Sequence, residues 1–152
     1  MDPAALTTRW VEWGTPEYWQ SVDLRLGILR LPLGLDFTNE QLRAEVTDHH
    51  LTTWIDYEIA GCLVLTPLSG LVVQMRQVAV LRELRRAGIG TMMVIESERL
   101  AASLGFNEMI LHGREVATGF YDRLGYRRRG EEFIEVGIPH FEMCKTLTKP
   151  IS

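Results

Sequence analysis

The spacing of apolar positions changes along this chain, and each change marks an element. Leu6 to Trp13 mixes β-branched and aromatic residues and ends at Gly14, which predicts an edge strand. Thr15-Pro16-Glu17 offers a capping hydroxyl with proline at the first helical position, so a helix is expected from there to about Arg30, ended by Pro32 and Gly34. Thr38-Asn39-Glu40-Gln41 has the spacing of a capping box and predicts a second helix that stops near His49. Leu51 to Asp56 and Ile59 to Thr66 then read as a hairpin turning at Tyr57-Glu58. A turn at Pro67 to Gly70 leads into a strand from Leu71 to Val80.

In the second half the type of element alternates. Gly88 to Leu104 reads as a helix, Phe106 to His112 as a strand and Glu115 to Leu124 as a helix, with Gly105 and Gly125 suited to closing the two helices. One or two strands are expected in Tyr126 to Leu147, with Gly137 and Pro139 between them. Alternation of this kind favours parallel pairings with helices laid across the sheet. The expected architecture is α/β in the broad sense of mixed α+β. A central mixed sheet of about six to seven strands is flanked by about four helices, antiparallel in its first half and partly parallel in its second.

At 152 residues the chain fits one domain, residues 1–152, better than two. Hydrophobic residues make up 46% and charged residues 24%, the balance of a globular protein. No apolar run approaches the roughly 20 residues that cross a bilayer, and the amino terminus has no basic segment followed by an apolar one. A cytoplasmic location without a membrane is therefore expected. A net charge of -4 argues against broad nucleic-acid binding and points to small-molecule partners. Cys62 and Cys144 lie in apolar strand-like runs and are expected to be buried thiols. No histidine stands at metal-ligand spacing from them, so no metal is expected.

Chemistry concentrates between Val78 and Thr91, where a strand, a basic loop and a glycine-marked helix start follow one another. Glycines admit a ligand close to the backbone, and the N–H groups of a first helical turn bind phosphate. Arg82, Arg85 and Arg86 add positive charge beside them, which suits a ligand carrying several phosphates. A P-loop is a poor fit because no Lys-Ser/Thr pair follows the glycines, and a dinucleotide fingerprint lacks its third glycine and its acid.

Arg85-Arg86-Ala87-Gly88-Ile89-Gly90 resembles the Gln/Arg-x-x-Gly-x-Gly/Ala signature of the GNAT acetyltransferase superfamily. Phe120-Tyr121-Asp122-Arg123-Leu124-Gly125-Tyr126 is similar to the Phe-Tyr-x-x-x-Gly-Phe/Tyr segment that follows the fifth strand there. The resemblance implies a GNAT acyl-CoA N-acyltransferase fold and transfer of an acetyl group from acetyl-CoA (coenzyme A) to an amine of a small molecule or peptide. It also implies that backbone groups of Val78 and Val80 hold the pantetheine arm, and that the pyrophosphate rests on Arg86, Gly88, Ile89, Gly90 and Thr91, with Arg85 closing over it. By the same resemblance Tyr121 is the general acid that protonates the leaving thiolate. Phe120 and Leu124 are expected to pack as an ordinary apolar helix face. One position departs from the pattern: Val116 stands where related sequences often carry an asparagine that contacts the coenzyme.

A carboxylate, histidine or water chain must accept the amine's proton. Glu132, Glu135 and His140 lie in the last segment, on the acceptor side that the resemblance implies, but Glu132 and Glu135 are expected first as surface charges and His140 as a turn-packing residue after Pro139. His49 and His50 are expected as solvated residues at a helix end, and Arg127-Arg128-Arg129 as an edge-strand charge cluster. The four tryptophans are expected in the core or at its margin. Neither cysteine suits a covalent acetyl-enzyme, so transfer would be direct. A non-catalytic acetyl-CoA sensor of the same fold and an unrelated ATP or NAD binder are the competing readings. A homodimer is compatible with all of them.

Overall fold

A computed structural model of the chain describes residues 6–148. Contacts divide them into two compact units. One takes in the residues up to Thr66 together with Gln77–Ser97, and the other takes in Pro67–Arg76 and the described residues from Glu98 onward.

In the first unit, β1 (Leu6–Val11) pairs antiparallel with β2 (His49–Ile55), which pairs antiparallel with β3 (Glu58–Pro67). Between β1 and β2 the chain forms α1 (Pro16–Arg25) and α2 (Asn39–Arg43). Thr15 caps α1 by accepting the Tyr18 N–H at 3.2 Å, as its sequence predicts. Beyond Arg25 the helix widens into a π-helical turn, Leu26–Arg30, then tightens into a single 3₁₀ turn that Gly34 closes at φ 71°. The capping box at Thr38 and Gln41 is present in both directions.

The second helix departs from expectation. It ends at Arg43 rather than near His49, because His49 and His50 are already in β2, opposite Leu65 and Val64. Strand pairing with β3 outcompetes one more helical turn. Leu24, Cys62 and Ala79 anchor an apolar cluster that Ile28, Leu29, Ile59 and Leu81 extend. Gly61 is closely approached in mid-strand: a Cβ there would come within 2.9 Å of Met93 Cε and 3.2 Å of the Ala79 carbonyl. Met93 lies on α3 (Ile89–Ser103), and Ala79 on β4 (Val72–Val80).

In the second unit, the start of β4 pairs in parallel with β5 (Glu108–Arg114). After β5 a 3₁₀ turn leads into α4 (Thr118–Arg123), β6 (Arg127–Arg128), β7 (Phe133–Glu135) and β8 (Ile138–Thr146). β8 is antiparallel to β5 along its whole length and also pairs β6 and β7. Three strands therefore stand where one or two were expected after Tyr126. Gly137, at φ 76°, turns β7 into β8, whereas Pro139 lies inside β8 opposite Ile134 rather than between strands.

Among the described residues there are eight strands, two of them only two and three residues long, and four α-helices. No helix among them is long and apolar enough to cross a membrane.

Candidate functional site

The loop before α3 has the most unusual backbone of the first unit. A single 3₁₀ turn, Arg82–Leu84, follows β4, and Arg85 is extended at φ -61°, ψ 141°. Arg86 and Gly88 then take left-handed conformations at φ 79° and 81°. Gly88 opens the helix, its carbonyl accepting the Met92 N–H at 3.0 Å. Between these two residues the Ala87 N–H is donated to the Leu84 carbonyl at 3.1 Å, and the turn leads directly into the first N–H groups of α3, at the positive end of the helix. A side chain built at Gly88 would meet nothing within 4 Å, so the space beside the loop is open. Arg82, Arg85, Arg86 and Gly88 are exposed, while Ile89 is buried and pins the helix start. The donor set and the open backbone fit a diphosphate.

β4 is bent just before this loop. Gln77 sits at φ 58° in mid-strand, and its side-chain Oε1 is buried without a partner. The parallel β4–β5 ladder runs from Val72↔Glu108 to Met75↔Leu111, so it ends two residues short of Gln77. Val78 and Val80 follow the bend, half-buried. A left-handed glutamine costs about 1–2 kcal/mol and gives no warning in the sequence.

In the second unit Tyr121 is buried on α4, edge-on to Phe120 at 5.0 Å and to Tyr126 at 5.9 Å. Burial pushes its phenol up to about 12, so it keeps its proton at neutral pH. The ring faces β5 at Gly113: a Cβ built there would stand 3.6 Å from Tyr121 Cδ2, an ordinary contact, and more tightly, 3.3 Å, from Met143 Sδ. Phe120 and Leu124 are half-buried, in keeping with a packing role. Val116 is 93% exposed, so that side chain packs against nothing that would replace the expected asparagine.

The acid–base candidates separate clearly. Glu132 is exposed. Glu135 Oε1 accepts a hydrogen bond from His112 Nδ1 at 3.0 Å, and its Oε2 lies 3.7 Å from His140 Nε2. His140 is buried and donates from Nδ1 to the Ile138 carbonyl at 2.8 Å. His112 was not singled out by its sequence, because an imidazole in a strand carries no motif. Only the pairing of β5 with β8 and the β7 hairpin brings Glu135 to it.

The remaining expectations divide. His50 is not solvated at a helix end: it is 2% exposed in β2, its Nε2–H donating to the Glu45 carbonyl. Arg128 lies over Phe141 and donates to Thr118, and Arg129 is paired with Glu142 and Glu108, so the β6 cluster is partly neutralised. Trp54 is buried, whereas Trp19 is 42% exposed at the margin. Both cysteines are buried and unpaired. No group of three or more metal-ligating side chains gathers among the described residues.

The sequence profile of the acetyltransferase (GNAT) family matches residues 8–126. The chain belongs to this family. Among its relatives, the uncharacterized protein YyaT of Bacillus subtilis (strain 168) is 34% identical over 85 residues, which is 56% of this chain and 57% of YyaT. The chain spans about half the length of the curated relatives it matches. A Lactobacillus plantarum protein superposes with a TM-score of 0.85 at 21% identity, over 95% of this GNAT chain and 99% of that one. An aminoglycoside 6′-N-acetyltransferase complexed with coenzyme A superposes at 0.79 and 18% identity, over 96% and 99%. These likenesses establish the acyl-CoA N-acyltransferase fold that the sequence resemblance implied.

Proposed function

We propose that this GNAT protein is a single-domain N-acetyltransferase that moves an acetyl group from acetyl-CoA to a primary amine of a small molecule or peptide. The observation that carries the proposal is the left-handed pair Arg86 and Gly88 at the opening of α3, an anion cradle on an open backbone. The structural relative complexed with coenzyme A supports the same ligand. The N–H groups of Ile89, Gly90 and Thr91, at the start of α3, would hold the pyrophosphate, with Arg86 and Gly88 shaping the turn and Arg85 covering it. The bend at Gln77 releases the end of β4, so backbone groups of Val78 and Val80 are available to an extended pantetheine arm.

Acetyl-CoA supplies an acyl thioester, whose leaving group is a thiolate. Tyr121 serves as the acid: a phenol that stays protonated at neutral pH can donate to that sulfur as the C–S bond breaks. Cys62 and Cys144 are buried, which favours direct attack by the amine over a covalent acetyl-enzyme. Their unpaired thiols also fit a reducing compartment, and we assign the protein to the cytoplasm.

Differential scanning fluorimetry with acetyl-CoA, ATP and NAD tests the ligand, because a ligand that binds only the folded state raises Tm. Stabilisation by acetyl-CoA alone is expected; stabilisation by ATP or NAD alone would remove the reading. Release of coenzyme A thiol with spermidine, benzylamine and a peptide carrying a free amino terminus tests transfer. Binding without release from any acceptor would favour a sensor.

A further inference from the structure

β5 carries two candidate groups on its opposite faces. Side chains alternate along a strand, so Gly113 and Leu111 share the face against which Tyr121 packs, and His112 points to the other. There its ring lies edge-on to Phe133 at 5.0 Å, with Glu135 on β7 and Glu142 on β8 facing it. His112 is also the first residue of β5 past the last rung with β4, at Leu111, and it remains paired to β8 through Glu142. It is held on one side of the strand and released on the other.

The tautomer follows from the contact. A carboxylate only accepts, so His112 Nδ1 carries the hydrogen of the 3.0 Å bond to Glu135, and Nε2 of the neutral ring holds a lone pair. That nitrogen stands 4.0 Å from Glu142 Oε1, too far for a hydrogen bond, while Glu142 Oε2 is taken by Arg129 Nε at 2.8 Å. The side chain of His112 is 30% exposed. It is oriented, its Nε2 has no carboxylate within hydrogen-bond distance among the described residues, and it can be reached from solvent.

We propose that His112 Nε2 is the proton acceptor for the incoming amine, oriented by Glu135 through Nδ1. The inference rests on the acetyltransferase reading above. The amine nitrogen forms its bond to the acyl carbon with its own electron pair, the C–S bond breaks, and sulfur takes the Tyr121 proton. The proton lost by the amine goes to His112 Nε2 and from the imidazolium to solvent, and the Tyr121 phenolate regains a proton from solvent, so the protein ends each turnover unchanged. Glu142 and Glu135, both beside the ring, favour an acceptor that arrives as an ammonium, which first gives up one proton to solvent and then attacks as the free amine.

His112→Ala in the full chain should lower kcat by about 10²-fold or more, leave acetyl-CoA affinity by calorimetry within about twofold, and flatten the acid limb of the kcat–pH profile. Glu135→Ala should displace that limb and retain more activity than His112→Ala. In ¹⁵N spectra of the wild-type chain without ligand, His112 should be the Nδ1–H tautomer, and Glu135→Ala should erase that preference. Near-parental kcat in His112→Ala, an unaltered acid limb, or an Nε2–H tautomer in the wild type would each overturn the assignment. If the wild type turns over and His112→Ala does too, the base alone is lost; if the wild type acetylates no amine, the enzymatic reading goes with it.

Discussion

Arg25 and Glu45 meet as a two-point ion pair, both guanidinium–carboxylate contacts 2.8 Å long and both side chains sealed from solvent. The Tyr18 hydroxyl donates to the same carboxylate at 2.8 Å. Together these bonds tie α1 to the turn that follows α2 and so fix the first unit around its apolar cluster. Removing one partner strands a buried charge. Glu45→Ala should therefore cost about 3–5 kcal/mol, and urea denaturation checks it. Replacing Arg25 and Glu45 together by leucine or methionine should cost much less than Glu45→Ala alone.

The same network sets an acid response. Burial by itself would raise the Glu45 carboxyl, but the bonds and charge of Arg25 outweigh it and hold the carboxyl below its ordinary value of 4.5. Burial holds His50 below 6.5, and its Nδ1 is buried without a partner. In both cases the unfolded chain binds protons more readily than the folded one, so stability falls as pH falls. A first decline should begin below about 6.5, from His50, and a second below 4.5, from Glu45. Urea midpoints measured across this range should show both, and His50→Gln should remove the first.

Strain at Arg86 makes a prediction with two opposed readouts. A left-handed arginine costs about 1–2 kcal/mol, whereas glycine's extra freedom in the unfolded chain costs about 0.5–1 kcal/mol. Arg86→Gly should stabilise the fold by roughly 0.5–1 kcal/mol, the difference between those costs. The same variant should bind acetyl-CoA several-fold more weakly and with less dependence on salt, because one cation is gone. A variant that is more stable and binds equally well would remove Arg86 from the cradle.

The sequence makes local signals plain and long-range ones obscure. Thr15 and Thr38 announce their helices because a cap is a contact within three residues. Gly88 and Gly125 do so because a left-handed backbone needs glycine. The family signature adds the cradle at Arg86 to Thr91. Gln77 is a different matter: nothing local explains its left-handed turn, which depends on what β4 pairs with on each side. The strand position of His49 and His50 is hidden for the same reason, since their partners Leu65 and Val64 lie well along the chain. The His112–Glu135 contact spans 23 residues and exists only once β7 has folded back on β8.

Tyr121→Phe separates chemistry from binding. The ring's packing against Gly113 and Tyr126 survives the change, while the donor to sulfur is lost. kcat should fall by about 10²-fold, and acetyl-CoA affinity should stay within about twofold, because the lost bond matters chiefly in the transition state. An unchanged kcat would take Tyr121 out of the mechanism.

Acetyl transfer itself is best measured by following coenzyme A thiol release and the amine's mass together, in one reaction of the full chain with acetyl-CoA and spermidine, benzylamine or a peptide amino terminus. Buried Cys62, its thiol pushed up to about 12, and buried Cys144 should leave the thiol reading undisturbed. Thiol should be released in step with an added acetyl group on at least one amine. Thiol release no faster than buffer and no acetylated product with any of the three would contradict it.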